Sequence, residues 1–137
     1  MVKKKILIVD DDADVRAGLN IRLRANGYDT AFAADAMTAV MEARKQAPDL
    51  VVLDLGLPGG DGYVVMQRMK GIPALAVIPI IVLSARDRES NENRVAMAGA
   101  VAFLQKPFDD VALLNEVRKA LGEQAPPTEE RRRRATD

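Results

Sequence analysis

Three stretches of this chain are apolar at every consecutive position: Ile6-Leu7-Ile8-Val9, Leu50-Val51-Val52-Leu53 and Ile80-Ile81-Val82-Leu83. A strand with one wet face alternates apolar and polar side chains, whereas unbroken hydrophobicity requires cover on both faces. With two weaker runs the set is five: Lys5–Val9, Asp29–Ala33, Leu50–Leu53, Ile80–Leu83 and Val101–Leu104. Between them the period turns helical. Val15, Leu19 and Leu23 share one face of a segment that Gly27 ends, and Met37, Val40 and Met41 form a second stripe behind Asp35 as N-cap. Val64, Val65 and Met69 mark a third helix over Asp61–Lys70, and Arg88–Ala98 is a polar fourth with Val95 and Met97 near its end. The fifth is capped by Asp109 or Asp110, carries Val111, Leu114, Val117 and Leu121, and stops at Gly122. Strands alternating with five helices predict an α/β fold, a parallel sheet between two helical layers.

Composition removes many chemistries. The 137 residues include no Cys and no His, so there is no disulfide, thiol nucleophile, histidine base or imidazole metal site. Twenty basic residues balance twenty acidic ones, and aromatics are 4%, which argues against a nucleic-acid partner. The longest uncharged stretch, Gly71 to Ala85, is broken by Pro73 and Pro79 and is too short to cross a bilayer. The apolar run after Lys3-Lys4-Lys5 is too short for a signal peptide, so the expectation is a cytoplasmic chain with no membrane partner. Residues 1–122 read as one domain. From Glu123 the composition shifts to a Pro126-Pro127 pair, acids and the run Arg131-Arg132-Arg133-Arg134, so 123–137 reads as a charged solvated tail.

What remains for chemistry lies just after the apolar runs. In an open parallel sheet the carboxyl ends of the strands share one rim, where ligands bind. The first run is followed by Asp10-Asp11-Asp12, the third by Asp54, the fourth by Ser84 and the fifth by Lys106-Pro107. Each alone is an ordinary turn former, cap or solvated amine. Together they bring acids, a hydroxyl and an amine to one place. Two unit charges about 4 Å apart repel by roughly 4 kcal/mol at an effective dielectric of about 20, so converging carboxylates need positive charge. Lys106 alone leaves a negative remainder, which a hard divalent cation with oxygen ligands offsets, Mg²⁺ being the abundant choice. A magnesium beside a carboxylate, a lysine and a hydroxyl suits phosphoryl transfer, which depends on in-line positioning and neutralised oxygens.

The order and spacing of four motifs resemble the receiver domain of two-component response regulators, of the single-domain type, over about Lys3 to Gly122. The motifs are Ile6-Leu7-Ile8-Val9-Asp10-Asp11, the stretch from Val52-Leu53-Asp54 through Leu57-Pro58-Gly59-Gly60-Asp61-Gly62, Ile80-Ile81-Val82-Leu83-Ser84-Ala85, and Phe103-Leu104-Gln105-Lys106-Pro107-Phe108. The resemblance implies a flavodoxin-like, doubly wound five-stranded sheet of order 2-1-3-4-5. It makes Asp54 the phosphoacceptor, taking its phosphoryl group from a phosphohistidine on a sensor histidine kinase or histidine phosphotransfer protein. Asp10, Asp11, Asp54 and the Gly56 carbonyl would hold Mg²⁺, Asp10 through water; Ser84 and Lys106 would contact phosphoryl oxygens. A cis Lys106-Pro107 bond is implied as well. Ser84 and Phe103 would form the switch that re-shapes the fourth helix, fifth strand and fifth helix for a downstream protein target or a phosphorylation-dependent homodimer. In this reading the chain is no classical enzyme and catalyses only its own phosphorylation and dephosphorylation.

Where the family often has Met, this chain has Leu57 and Gly59, and Ala100 and Ala102 make the face near Phe103 more apolar. Asp12 reads as a helix cap. Gly56 and Ala85 leave room for an attacking water, so the acyl phosphate is expected not to be long-lived. Two other readings compete. A haloacid-dehalogenase-like phosphatase would use Asp10 as nucleophile and Asp12 as general acid, with Ser84, Lys106 and Asp109-Asp110 completing its motifs. It leaves Asp54 and its loop unexplained and lacks length for a cap domain. An unphosphorylated pseudo-receiver module would have no reason to keep the repulsive acidic cluster.

Overall fold

The computed structural model describes residues 2–58 and 61–123. The strands are β1 (Lys5–Val9), β2 (Asp29–Ala33), β3 (Leu50–Asp54), β4 (Ile80–Ser84) and β5 (Ala102–Gln105). All pair in parallel, in the order β2-β1-β3-β4-β5. Six helices lie among the described residues: α1 (Ala13–Ala25), α2 (Ala36–Gln46), α3 (Gly62–Lys70), α4 (Pro73–Ala76), α5 (Arg88–Met97) and α6 (Asp110–Ala120). This is the flavodoxin-like sheet that the motifs imply. The short α4 is additional to the five expected helices; Pro73 at its first position starts one turn inside the uncharged stretch.

The unbroken apolar strands are buried on both faces. Ile6, Ile8, Leu50, Val52, Ile81 and Leu83 point into one core, closed by Leu19 and Leu23 of α1 and Leu113 and Val117 of α6. Leu7, Val9, Val51, Leu53 and Val82 point into the other, closed by α2, α3, Leu75 and Val95. Alternate residues of each strand thus feed different layers, so polar positions survive only at strand ends.

Two helical stripes differ from expectation. On α2 the buried residues are Ala36, Ala39 and Ala43, while Met37 and Met41 face solvent and Val40 is only partly buried. Small side chains let α2 approach the sheet closely, and hydrophobic size misidentified the inner face. On α6, Leu113 and Val117 are buried and Val111 is exposed; Met97 of α5 is exposed too. Strand β5 begins one residue later than expected, at Ala102, because Val101 pairs its amide with the Ile80 carbonyl before the ladder starts. The caps match: Asp12 accepts from Asp14 and Val15, Asp35 from Thr38, and Asp109, not Asp110, from Ala112. Most of the 123–137 segment lies outside the described residues, as do Gly59 and Gly60. Glu123, its first residue, accepts the Tyr28 hydroxyl at 2.7 Å.

Candidate functional site

The carboxyl ends of β1, β3, β4 and β5 carry the acids, hydroxyl and amine to one rim. Asp10 follows β1 directly and is 2% exposed; Asp54 ends β3 at 9% and Ser84 ends β4 at 1%. Burial of these polar groups is tolerable only because they are partnered, and no buried side-chain N or O among the described residues lacks a hydrogen bond. Asp10 Oδ1 accepts the Asp12 amide at 3.0 Å, and its Oδ2 takes the Lys106 ammonium at 2.9 Å. Lys106 Nζ also lies 3.7 Å from Asp54 Oδ1. The Lys106–Pro107 bond is cis. Ser84 Oγ accepts the Arg86 amide at 3.0 Å, and its carbonyl accepts the Lys106 amide at 2.8 Å, so β4 and β5 register serine and lysine against each other.

One lysine does not balance the acids. Asp10, Asp11 and Asp54 each offer a carboxylate oxygen within 4.8 Å of the others. Burial pushes the Asp54 carboxyl up from its ordinary range; the Asp10 and Asp11 charges push the same way, while Lys106 and the Gly56 amide only partly oppose them. Burial also works against the Lys106 charge, but its bond to Asp10 and the Asp54 charge outweigh that and hold the ammonium above its usual value. An all-oxygen, net-negative donor set is what a hard divalent cation takes, so Mg²⁺ fits the residues present. Gly56 lies against the Asp54 carboxylate; a Cβ there would sit 3.7 Å from Oδ2.

Phe103 is 8% exposed and belongs to the α2–α3 core, with the Arg88 guanidinium 5.9 Å from its ring centre and bonded to its carbonyl at 3.1 Å. Three positions emerge only in three dimensions. Arg16 Nη1 donates to the Asp10 carbonyl at 2.7 Å, bracing the acidic loop from α1. Gly62 admits no side chain, since a Cβ would lie 2.8 Å from the Asp54 carbonyl oxygen. Arg86 reaches Asp61 at 3.5 Å and the Leu55 carbonyl at 3.5 Å. Gly62 lies inside one of the four motifs, but no sequence signal shows that α3 starts against the loop after Asp54. Asp12 and Asp109 cap helices, which accounts for two of the acids that a phosphatase reading needs. A cavity of about 410 Å³ lined by Ala43, Ile72 and Leu75 opens at the opposite end of the sheet and holds no such cluster.

A family profile described as "Response regulator receiver domain" matches residues 6–118. The chain belongs to that family. It is 38% identical over 115 residues to the response regulator PleD of Caulobacter vibrioides, covering 83% of this chain and 25% of PleD. Among solved structures, a putative response regulator from Chloroflexus aurantiacus superposes with TM-score 0.84 at 34% identity, covering 89% of this chain and 100% of that one. The receiver domain of sensor histidine kinase PA1611 from Pseudomonas aeruginosa gives TM-score 0.81 at 28% identity, over 89% and 100% of the two chains. Its structure is described with a magnesium ion coordinated in the active site cleft. Receiver domains bind Mg²⁺ at an acidic pocket and work with histidine kinases and downstream effectors. This receiver spans a quarter to about half the length of the curated relatives it matches, several of which are named as transcriptional or DNA-binding regulators. The balanced net charge therefore speaks only for the receiver segment. No helix among the described residues is long and apolar enough to cross a membrane.

Proposed function

We propose that this receiver accepts a phosphoryl group on Asp54 from a phosphohistidine of a sensor histidine kinase or phosphotransfer protein. The observation that carries the reading is the unbalanced cluster: three carboxylates within 4.8 Å, one ammonium 3.7 Å from Asp54, and no histidine in the chain. Asp54 attacks phosphorus as a carboxylate; a P–O bond forms, the P–N bond breaks and the imidazole leaves with the bond pair. Lys106 pairs with one phosphoryl oxygen and Ser84 donates its hydroxyl to another. Asp10, Asp11, Asp54 and the Gly56 carbonyl would hold Mg²⁺, Asp10 through water, and the ion would supply charge neutralisation for the phosphoryl oxygens. In dephosphorylation water attacks phosphorus, the P–O bond to Asp54 breaks, and inorganic phosphate leaves with the carboxylate restored; Gly56 and Ala85 leave the water room, so the acyl phosphate is not unusually long-lived. The protein thus acts only on its own carboxylate, not as a turnover enzyme on a separate substrate.

The output follows from Ser84. Drawn toward the phosphoryl group, it opens space beside Phe103, whose ring is already mostly inward, and the α5-β5-α6 face is remodelled. A small cavity of about 130 Å³ on that face, lined by Glu92 as well as Val95, Ala100, Val101 and Phe103, offers a mixed polar and apolar place for a protein target or a second copy to dock. A phosphoryl group biases this equilibrium only through contacts that differ between the two states. In this reading residues 1–122 are the receiver unit, 123–137 a charged extension, and the setting cytoplasmic. The test is labelling by acetyl phosphate or phosphoramidate with Mg²⁺, followed by mass spectrometry. Labelling at Asp54, abolished in Asp54→Ala and weakened in Asp10→Ala, supports the reading; labelling at Asp10 sinks it in favour of the phosphatase-like alternative.

A further inference from the structure

Helix α5 is the most polar helix of the fold, and Val95 is its one buried side chain. Apolar burial therefore contributes little to its placement, and polar contacts must supply the rest. Those contacts converge on α3. The Tyr63 hydroxyl donates to Asn91 Oδ1 at 2.8 Å, and the Arg94 guanidinium stacks 3.7 Å from the Tyr63 ring centre. At one end of this seam Arg86 pairs with Asp61; at the other the Lys70 ammonium donates to the Met97 carbonyl at 3.3 Å. Tyr63 is itself 9% exposed and rigidly mounted: its neighbour Gly62 donates to the Leu55 carbonyl at 2.8 Å and is pressed against the Asp54 carbonyl.

We propose that the Tyr63–Asn91–Arg94 seam is a latch, holding α5 in the position seen here against the phosphoryl-driven movement of the segment after Ser84. The segment is pulled from two sides. Ser84 Oγ holds the Arg86 amide, so any shift of Ser84 toward a phosphoryl group drags the start of α5, while α3 holds the middle of the same helix. A contact made in one state and broken in the other sets the equilibrium between them, and by linkage it sets the affinity for whatever drives the change. The latch residues are distinct from Arg88, whose guanidinium lies 5.9 Å from the Phe103 ring centre and bonds the Phe103 carbonyl. Tyr63, Asn91 and Arg94 touch no reacting atom and act only by positioning.

This inference rests on the phosphoacceptor reading, and the experiment separates the two. Beryllofluoride with Mg²⁺, a phosphoryl mimic, is titrated into the wild-type protein, Tyr63→Phe and Arg94→Gln, with α5 followed through the Met97 methyl signal. Tyr63→Phe keeps the ring and loses one hydrogen bond; Arg94→Gln changes an exposed side chain, so both variants fold. Each is expected to raise the apparent affinity about threefold to tenfold, the effect of one net hydrogen bond or cation–π contact. Unchanged or weakened affinity in both, with wild-type binding intact, overturns the latch alone. A wild-type protein that takes no beryllofluoride overturns the phosphoacceptor reading and the latch together.

Discussion

The two ends of the same five strands are built on opposite electrostatic plans. At the amino end the paired groups meet mostly neutral oxygens: the Lys5 amide donates to Asp49 at 2.8 Å and its ammonium to Gln46, Lys4 donates to the Leu121 carbonyl at 3.1 Å, and Arg118 donates to Asn26 at 3.1 Å. Tyr28 and Glu123 close the same end. At the carboxyl end three carboxylates crowd one lysine, with two of the acids nearly buried. The first arrangement stabilises the fold; the second is tolerated by it. A cluster that the strands force together against its own repulsion suits a ligand that restores the balance, and a hard divalent cation is such a ligand.

The contrast can be broken deliberately. The largest effect is expected at Gly62, where a methyl group would collide with the backbone of Asp54 and Leu55. Gly62→Ala should cost about 2 to 3 kcal/mol in urea unfolding and reduce acetyl phosphate labelling as well, since the collision displaces the acceptor strand. Next is Asp54→Asn. Burial and the neighbouring acids disfavour the Asp54 charge, so neutralising it should stabilise the metal-free protein while abolishing labelling. Added Mg²⁺ should raise the melting temperature of the wild type more than that of the variant. A variant no more stable than wild type without metal would show that the carboxyl end is not under electrostatic strain.

Tyr28 probes the amino end. Burial, with the Glu123 carboxylate accepting its hydroxyl, raises its pKa from 10.0 to about 12. The folded chain therefore keeps the phenol proton longer than the unfolded one, and the stability this gives is complete below pH 10 and lost as pH rises toward about 12. Unfolding free energies of wild type and Tyr28→Phe should converge or cross over that interval; parallel profiles would show that the hydroxyl is not held. The smallest effect is at Ala47, which ends α2 with φ of 45°. Ala47→Gly should stabilise by about 1 kcal/mol or less by relieving a left-handed alanine, with labelling unchanged.

The sheet was readable because three strands each hold four consecutive apolar residues, a pattern that double cover explains. The rim was readable because acids, a serine and a lysine each follow such a run directly. The inner faces of α2 and α6 were not. On α2 alanine lies inward and methionine outward, because the gap between helix and sheet, which no single segment encodes, rewards small side chains over large ones, while α6 turns Leu113 and Val117 inward and leaves Val111 exposed. The α3–α5 seam was equally hidden: Tyr63 and Arg94 are 31 positions apart, and neither sits at a strand end.

Local pattern alone therefore settled the order of the strands and the five longer helices, the parallel sheet, the caps Asp12 and Asp35 and the residues that reach its carboxyl rim, since each depends on a few neighbouring side chains and on periodicity. Only the folded chain decided how tightly those residues meet, that the lysine bonds Asp10 more closely than Asp54, that Gly62 must be bare, and that α5 leans on Tyr63. Those facts depend on distances between segments far apart in the chain, and such distances are set by the packing of the whole core.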